Sequence, residues 1–235
     1  MTSPGKQKKI KKPEGNTISP FPSVAPSEAA DICKWNGLNL TIPKSVYFPH
    51  EDSFLLADAA KANATGRVLD FGCGSGIAGI YAASSSAVKE LVFSDISKAA
   101  LECAKSNIKR NKSFPCGCAS KAKFIECDLF ANLNGEKFDT ILFNPPYLPT
   151  SKEEKLKGKI NAAFDGGIDG RKVVDRFLAQ FPKHLEKGGV LLYLDSSVTN
   201  SRKTEKWLKE AGFSIKILSS QRFFFEELRV LKVSK

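Results

Sequence analysis

An apolar run, Phe138-Asp139-Thr140-Ile141-Leu142-Phe143, stops abruptly at Asn144-Pro145-Pro146-Tyr147, and no other junction in the chain restricts the fold so tightly. The run has the length and composition of a strand buried inside a parallel sheet. Each proline fixes φ near about −65° and narrows the conformations of the residue before it, so the strand must end in a rigid turn. That turn lies at the carboxyl end of the strand, where open α/β sheets bind their ligands.

The turn has a chemistry to match. Two successive prolines remove two backbone donors but keep the carbonyls, so it presents acceptors: the Asn144 side-chain oxygen and a proline C=O. A planar NH2 group has two hydrogens to satisfy them, and the Tyr147 ring can cover the π face of the amide or base that carries it. Held in this way, a poor nitrogen nucleophile is aimed in one direction. Asn144, Pro145 and Tyr147 are therefore the candidate catalytic residues, and Asn144, Pro146 and Tyr147 the candidate substrate-binding ones.

Upstream, Arg67-Val68-Leu69-Asp70-Phe71 reads as a short strand, Gly72 to Gly76 as a glycine-rich turn and Ile77 to Ala83 as a small-residue helix. Such a turn lets a ligand lie against bare backbone at a helix start. Two spacings compete: Gly74-x-Gly76-x-x-Gly79 fits a dinucleotide fingerprint, and Asp70-x-Gly72-x-Gly74-x-Gly76 fits an S-adenosylmethionine site. Asp70 decides between them, because it would repel a pyrophosphate yet suits a ligand whose near end is an ammonium and a sulfonium. Leu91-Val92-Phe93-Ser94-Asp95 is a second strand, ending in an acid able to accept both hydroxyls of a ribose. Ser97 caps the helix that follows, and Lys123 to Leu129 is a third strand, where Asp128 suits an adenine amino group and Leu129 its face. Asp70, Gly72, Gly74, Gly76, Asp95, Asp128 and Leu129 are candidate cofactor residues, joined by Asn144.

The chain has 235 residues, a net charge of +11 and a pI near 9.3. That length allows one well-buried domain plus a tail. Residues 1–30 carry Lys6, Lys8, Lys9, Lys11 and Lys12 against Glu14 and Glu28, a net +3, and 11 − 3 leaves +8 on the rest. This first segment is rich in Lys, Pro, Ser and Gly and reads as a flexible basic tail, so the folded domain is expected over 31–235. The basic balance favours acidic partners, nucleic acid among them. With no secretory signal, the six cysteines are expected as reduced thiols, and Cys116-Gly117-Cys118 as a small turn rather than a zinc site. No apolar stretch has the ~18 residues of a membrane span, so the expected location is cytoplasmic, with no membrane partner and no bound metal.

Val46 to Asp52 leads into a helix from Ser53 to Ala60, with Asp52 and Ser53 placed to cap its start. After Tyr147 the segment from Leu148 to Asn161 is lysine-rich and without period, and reads as a mobile functional loop. A helix with Val173, Val174, Phe177, Leu178 and Phe181 on its buried face follows. Gly189 to Asp195, Phe213 to Leu218 and Leu228 to Val233 are the fifth, sixth and seventh strands, with a helix from Thr204 to Ala211 between the first two. The last pair lacks a crossover helix and should run antiparallel. Phe223-Phe224-Phe225 falls near its turn, where three adjacent phenylalanines cannot all face one core, which leaves at least one for a partner.

Taken together, the chain resembles the HemK-like protein-glutamine methyltransferases, more closely their archaeal and eukaryotic branch. The resemblance covers Ser45 to the C-terminus. It rests on Val46-Tyr47-x-Pro49-x-Glu51-Asp52-Ser53-Phe54-Leu55-Leu56, Asp70-x-Gly72-x-Gly74-x-Gly76, Asn144-Pro145-Pro146-Tyr147, Gly166-Gly167-x-Asp169-Gly170-Arg171 and Leu228-Arg229-Val230-Leu231-Lys232. It implies a class I, Rossmann-like methyltransferase fold, with a seven-stranded, mostly parallel sheet and an antiparallel last strand. It also implies S-adenosylmethionine as donor and, as acceptor, the glutamine amide in the Gly-Gly-Gln loop of a class I translation release factor. By the same resemblance Ser53, Asp70, Gly72, Asp95, Asp128 and Leu129 line the cofactor site, Asn144 holds the substrate amide, and a small zinc-binding activator subunit is a further partner. Two other readings stay open on residues alone: a methyltransferase for the exocyclic amine of a base in RNA or DNA, and a non-catalytic cofactor-binding scaffold.

Overall fold

The computed structural model of the chain describes residues 30–111, 117–149 and 166–235. Residues of the expected basic tail before position 30, and most of the lysine-rich segment after Tyr147, lie outside them.

Among the described residues nine strands form two sheets. The first is a hairpin of β1 (Asp31–Trp35) and β2 (Leu38–Ile42), which the composition of this region did not suggest. Its turn, Asn36-Gly37, has φ of 45° and 84°, the left-handed pair that a two-residue hairpin turn needs. The alternation is local and visible: Leu38, Leu40 and Ile42 are buried. They pack the hairpin onto α3 (Lys98–Arg110), where the side chains of Asn107 and of the C-cap Asn111 accept the β2 amides of Thr41 and Asn39, each at 2.9 Å.

The second sheet contains β3 (Gly66–Phe71), β4 (Val88–Asp95), β5 (Lys123–Glu126), β6 (Phe138–Phe143), β7 (Leu185–Ser196), β8 (Ser214–Arg222) and β9 (Glu227–Ser234). Its order is β5-β4-β3-β6-β7-β9-β8. The first five of these run parallel, and β9 is antiparallel to both β7 and β8. This is the class I methyltransferase sheet with its reversed final strand. Several elements outrun the sequence reading: β7 begins at Leu185 and β8 continues to Arg222, while β5 stops at Glu126.

Helices cover both faces. Helix α1 (Glu51–Asn63), α2 (Ile77–Ala82) and α3 enclose one half of the core with the hairpin, and α4 (Lys172–Leu178) and α5 (Ser201–Glu210) enclose the other. Under the second face Phe71, Phe143 and Phe177 interlock, with ring centroids 5.0 Å apart for Phe71–Phe143 and 4.0 Å for Phe143–Phe177. Burying one such side chain contributes about 2–3 kcal/mol. Phe143 is thereby pinned, and with it the start of the turn that follows.

Connectivity then places the site. From β3 the chain crosses to β4 on one side and later returns to β6 on the other, so the strand order reverses between β3 and β6. A crevice opens at such a point. Because Phe71 registers with Phe143, Gly72 and Asn144 leave the sheet side by side.

Of the cysteines, Cys33, Cys73, Cys103 and Cys127 are free and buried. Cys118 instead is disulfide-bonded, which corrects the expectation of reduced thiols at that position. Among the described residues no helix is long and apolar enough to cross a membrane.

Candidate active site

The crevice is a cleft of about 310 Å³. One wall is the turn after β6: Asn144, Pro145, Pro146 and Tyr147 all line it. The opposite wall and floor come from Ser53, Asp70, Gly72, Gly74 and Asp95, with Asp128 and Leu129 at the end of β5. Gly76 is not on the cleft. It turns into α2 at φ 80°, and a Cβ there would meet the Ala104 Cβ at 2.9 Å, so its small size serves helix packing.

The floor is bare backbone. Gly72 and Gly74 hold left-handed φ of 65° and 52°. A Cβ on Gly74 would meet nothing within 4 Å, and one on Gly72 only the Phe143 ring at 3.8 Å. An elongated ligand can therefore lie directly on this loop, as the glycine spacing requires of a cofactor cradle. Asp95 braces it by accepting the Gly74 amide at 3.0 Å and the Ser97 amide at 2.8 Å, and it lines the cleft.

Asp70 is more deeply placed than its sequence position implied. It is 4 % exposed and accepts the Gly79 amide at 2.8 Å. Burial pushes its carboxyl up to about 7, against the lowering effect of that hydrogen bond and with further upward pressure from Asp95. A carboxyl poised in this range gains a charge when a cation settles beside it. The cradle, the buried Asp70, the half-buried Asp95 and the open glycines together fit S-adenosylmethionine. Asp128 differs from expectation in one respect: its Oδ2 is turned to Arg176 at 2.9 Å. Leu129 holds φ 53°, a strained conformation for a branched side chain, and forms part of the same wall.

The turn itself is held by a residue to which sequence reasoning gave another job. Asp52 does not cap α1; the N-cap is His50, with no side-chain cap hydrogen bond. Asp52 is 4 % exposed and collects donors from both sides. Asn144 donates its Nδ2 to Asp52 Oδ2 at 2.9 Å, the Tyr47 hydroxyl donates at 3.0 Å, and the Ser53 amide donates to Oδ1 at 2.6 Å. A carboxylate facing only donors can accept but not give, so Asn144 is fixed with its NH2 toward Asp52. Its Oδ1 is left buried, with no hydrogen-bond partner among the described residues. An orphaned acceptor of this kind costs about 1–3 kcal/mol until a donor arrives. Asp52 and Asn144 are 92 positions apart, and the signals for Asp52 were an acid directly before Ser53 in a helix start and its place in the Val46–Leu56 motif.

Beneath the turn, Gly166 and Gly170 pass close to its carbonyls. The Gly166 amide donates to the Leu148 carbonyl at 3.1 Å, and a Cβ on Gly170 would collide with the Tyr147 carbonyl oxygen. Arg171, only 3 % exposed, then anchors this crossing: its guanidinium donates to the Thr199 carbonyl at 2.6 Å, to Thr204 Oγ1 at 2.9 Å and to Asp175. The Tyr147 phenol is pushed well above its ordinary range, first by burial and then by the carboxylates of Asp52, Glu226 and Glu51.

Comparison with known proteins agrees with this fold. The family model described as methyltransferase small domain matches residues 50–223. A Methanocaldococcus jannaschii protein named as a candidate protein N5-glutamine methyltransferase is 42% identical over 200 residues, spanning 85% of this chain and 97% of that one. Human methyltransferase HEMK2 is 32% identical over 199 residues, spanning 81% and 90%. Among solved structures, the Mtq2–Trm112 complex of E. cuniculi, described as responsible for methylation of the eRF1 translation termination factor, aligns with a TM-score of 0.57 at 25% identity. That alignment covers 81% of this chain and 99% of the other.

Proposed function

For a chain that belongs to the HemK-like protein-glutamine methyltransferases, within the methyltransferase small domain family, we propose that the acceptor is the glutamine amide in the Gly-Gly-Gln loop of a class I translation release factor. The class of reaction is given by that membership: a glutamine side-chain nitrogen is methylated at the expense of S-adenosylmethionine. When bound, that cofactor supplies an electrophilic methyl group on a cationic sulfonium.

The observation that carries the acceptor's identity is the buried, unsatisfied Oδ1 of Asn144. A primary amide brings two N–H donors in one plane. In this reading Asn144 Oδ1 takes one and a proline carbonyl of the turn takes the other, and the amide is then held with its nitrogen exposed to the methyl donor. Ser53, Asp70, Gly72, Gly74, Asp95, Asp128 and Leu129 hold the cofactor; Tyr147 and Pro146 cover the acceptor. The protein's contribution is position and electrostatics, and no strong base is required before attack, because the nitrogen sheds its proton once it carries the methyl group.

An exocyclic amine on a nucleic-acid base presents the same two hydrogens, and the net charge of +11 would suit it. The charges at Tyr147 speak for protein instead. The carboxylates of Asp52, Glu226 and Glu51 all act on its phenol and would oppose the phosphates flanking a base, while of the two cations that line the cleft among the described residues, Lys172 and Arg176, Arg176 is paired with Asp128. The names of the relatives also favour release factor: a Gloeobacter violaceus release factor glutamine methyltransferase is 31% identical over 166 residues. By analogy with the Mtq2–Trm112 complex, a small activator subunit is a second expected partner.

The test is a competition. The protein, with and without such a subunit, is incubated with labelled S-adenosylmethionine, a Gly-Gly-Gln release-factor fragment and total RNA. Label in the fragment supports the proposal, and label confined to RNA refutes it.

A further inference from the structure

Among the described residues eight large apolar side chains are exposed, and half of them, Ile168, Val198, Phe224 and Phe225, fall along one rim. Phe224 and Phe225 are 93% and 88% exposed at the turn between β8 and β9, and Ile168 and Val198 are exposed as well. The two phenylalanines stack edge to face on each other, with centroids 4.7 Å apart, rather than on the core.

The rim is continuous with the cleft and rigidly tied to it. Residues Glu226 and Glu227, next to the aromatic pair, are fastened to the end of β7: Ser196 Oγ donates to Glu226 at 2.8 Å, and the Glu227 amide donates to Ser197 Oγ at 2.9 Å. The tip closes on itself through the Phe223 amide and the Glu226 carbonyl at 2.7 Å. Val198 follows Ser197 directly, and Thr199 receives Arg171 at 2.6 Å, which brings in the Gly166–Gly170 turn that carries Ile168 and supports the Tyr147 carbonyl. The apolar arc thus starts at the acceptor turn and runs outward along the carboxyl ends of β6, β7 and the β8–β9 hairpin.

We propose that the arc of Ile168, Val198, Phe224 and Phe225 is the surface on which the folded protein carrying the acceptor glutamine docks. The inference rests on the release-factor reading above and adds what that reading lacks, a contact outside the cleft. Charge complementarity selects the occupant. At the hairpin tip the aromatic pair is bordered by Glu226, held by Ser196, and by Glu227, against the cation Arg222, and the Glu226 carboxylate also acts on Tyr147, so the surface suits an apolar patch bordered by cationic side chains and not a phosphate backbone. Exposed aromatics that keep few rotamers are the side chains that most often dominate such contacts.

The test replaces the pair, Phe224→Ala with Phe225→Ala, in otherwise intact protein; both side chains are outside the core, so the fold should be retained. Ile32→Ala, exposed on the distant β1–β2 hairpin, serves as control. Steady-state methylation of the folded release factor should show KM raised at least about tenfold, a loss of the size expected for a two-aromatic anchor. At the same time kcat should stay within about twofold and cofactor affinity should be unchanged, since neither residue touches the cleft. The control should match wild type. KM unchanged in the double variant, with wild type active, overturns the docking surface and leaves the release-factor reading standing. A fall in kcat at saturating release factor also overturns it, by assigning the arc to the catalyst's own assembly. Wild type that labels RNA and no release factor removes both.

Discussion

Replacing Asp52 with asparagine tests whether the acceptor turn works as described. Asp52 accepts from Asn144, Tyr47 and Ser53, and its near-isosteric amide keeps the volume but converts one acceptor oxygen into a donor. The NH2 of Asn144 then loses its charge-assisted partner, and its Oδ1 is no longer held in one orientation. A hydrogen bond to a charged group contributes about 1.5–3 kcal/mol. If that energy keeps Asn144 in the productive orientation, its loss lowers kcat by roughly tenfold to 150-fold. Asn144→Ala, which removes the acceptor itself, should cost about 10²–10³ in kcat, the range seen when a preorganised group at a reacting centre is deleted. The two effects must not multiply. If Asp52 acts through Asn144, adding Asp52→Asn to Asn144→Ala leaves kcat within about threefold of the single Asn144 variant. Radiometric single-turnover assays at saturating cofactor, with binding of the cofactor measured by calorimetry, separate turnover from affinity. Full multiplication of the two losses, or a loss that appears only in cofactor binding, would refute the positioning role.

Four further outcomes follow from the same geometry. Asp70 is held near 7 by burial, and a cationic cofactor favours its ionised form. Cofactor affinity should therefore strengthen about tenfold from pH 5.5 to 7, and calorimetry on Asp70→Asn should show that dependence flattened. The sign for stability is opposite: the folded pKa lies above the unfolded one, so the ligand-free protein is most stable below pH 4 with respect to this group. It loses that contribution as pH rises from about 4 through 7, and a thermal-melting pH series on wild type and Asp70→Asn checks it. Gly170→Ala should cost about 2 kcal/mol or more by denaturant titration, since φ is 71° and a Cβ would press on the Tyr147 carbonyl. It should lower turnover too, and a melting midpoint equal to wild type would contradict that placement. Asn107 is fully buried and joins Thr41 of the hairpin to the Ser75 carbonyl of the glycine turn at 2.9 and 3.0 Å. Its replacement by alanine should cost about 2–3 kcal/mol and raise KM for the cofactor more than it lowers kcat.

The sheet was legible because burial writes itself into composition. Val68-Leu69, Leu91-Val92-Phe93, Ile141-Leu142-Phe143 and Leu191-Leu192 are fully buried strand interiors, and such runs need no long-range information. Strand ends were less so: β8 continues through polar Ser219, Ser220 and Gln221 because β9 lies beside it, not because of its own residues. The hairpin at Asp31–Ile42 is carried by Asn36-Gly37 between alternating apolar residues, a pattern of position rather than of composition. In the site, the identities of the glycine turn and the proline turn pointed to one cleft, and both line it. Sequence could not give the direction of the Asn144 amide, because Asp52 fixes it from a different helix. Local propensity even assigned Asp52 to a cap, the usual use of an acid near a helix start. Gly76 shows the converse: its place in the motif suggested ligand contact, whereas Ala104 of α3 is what demands a glycine there.

Tandem mass spectrometry of a release factor methylated by this protein tests the central claim most directly. The account predicts one added methyl group, on the side-chain nitrogen of the Gly-Gly-Gln glutamine, and its absence after parallel treatment with Asn144→Ala. A methyl group on any other residue, or undiminished modification by the Asn144 variant, would contradict it.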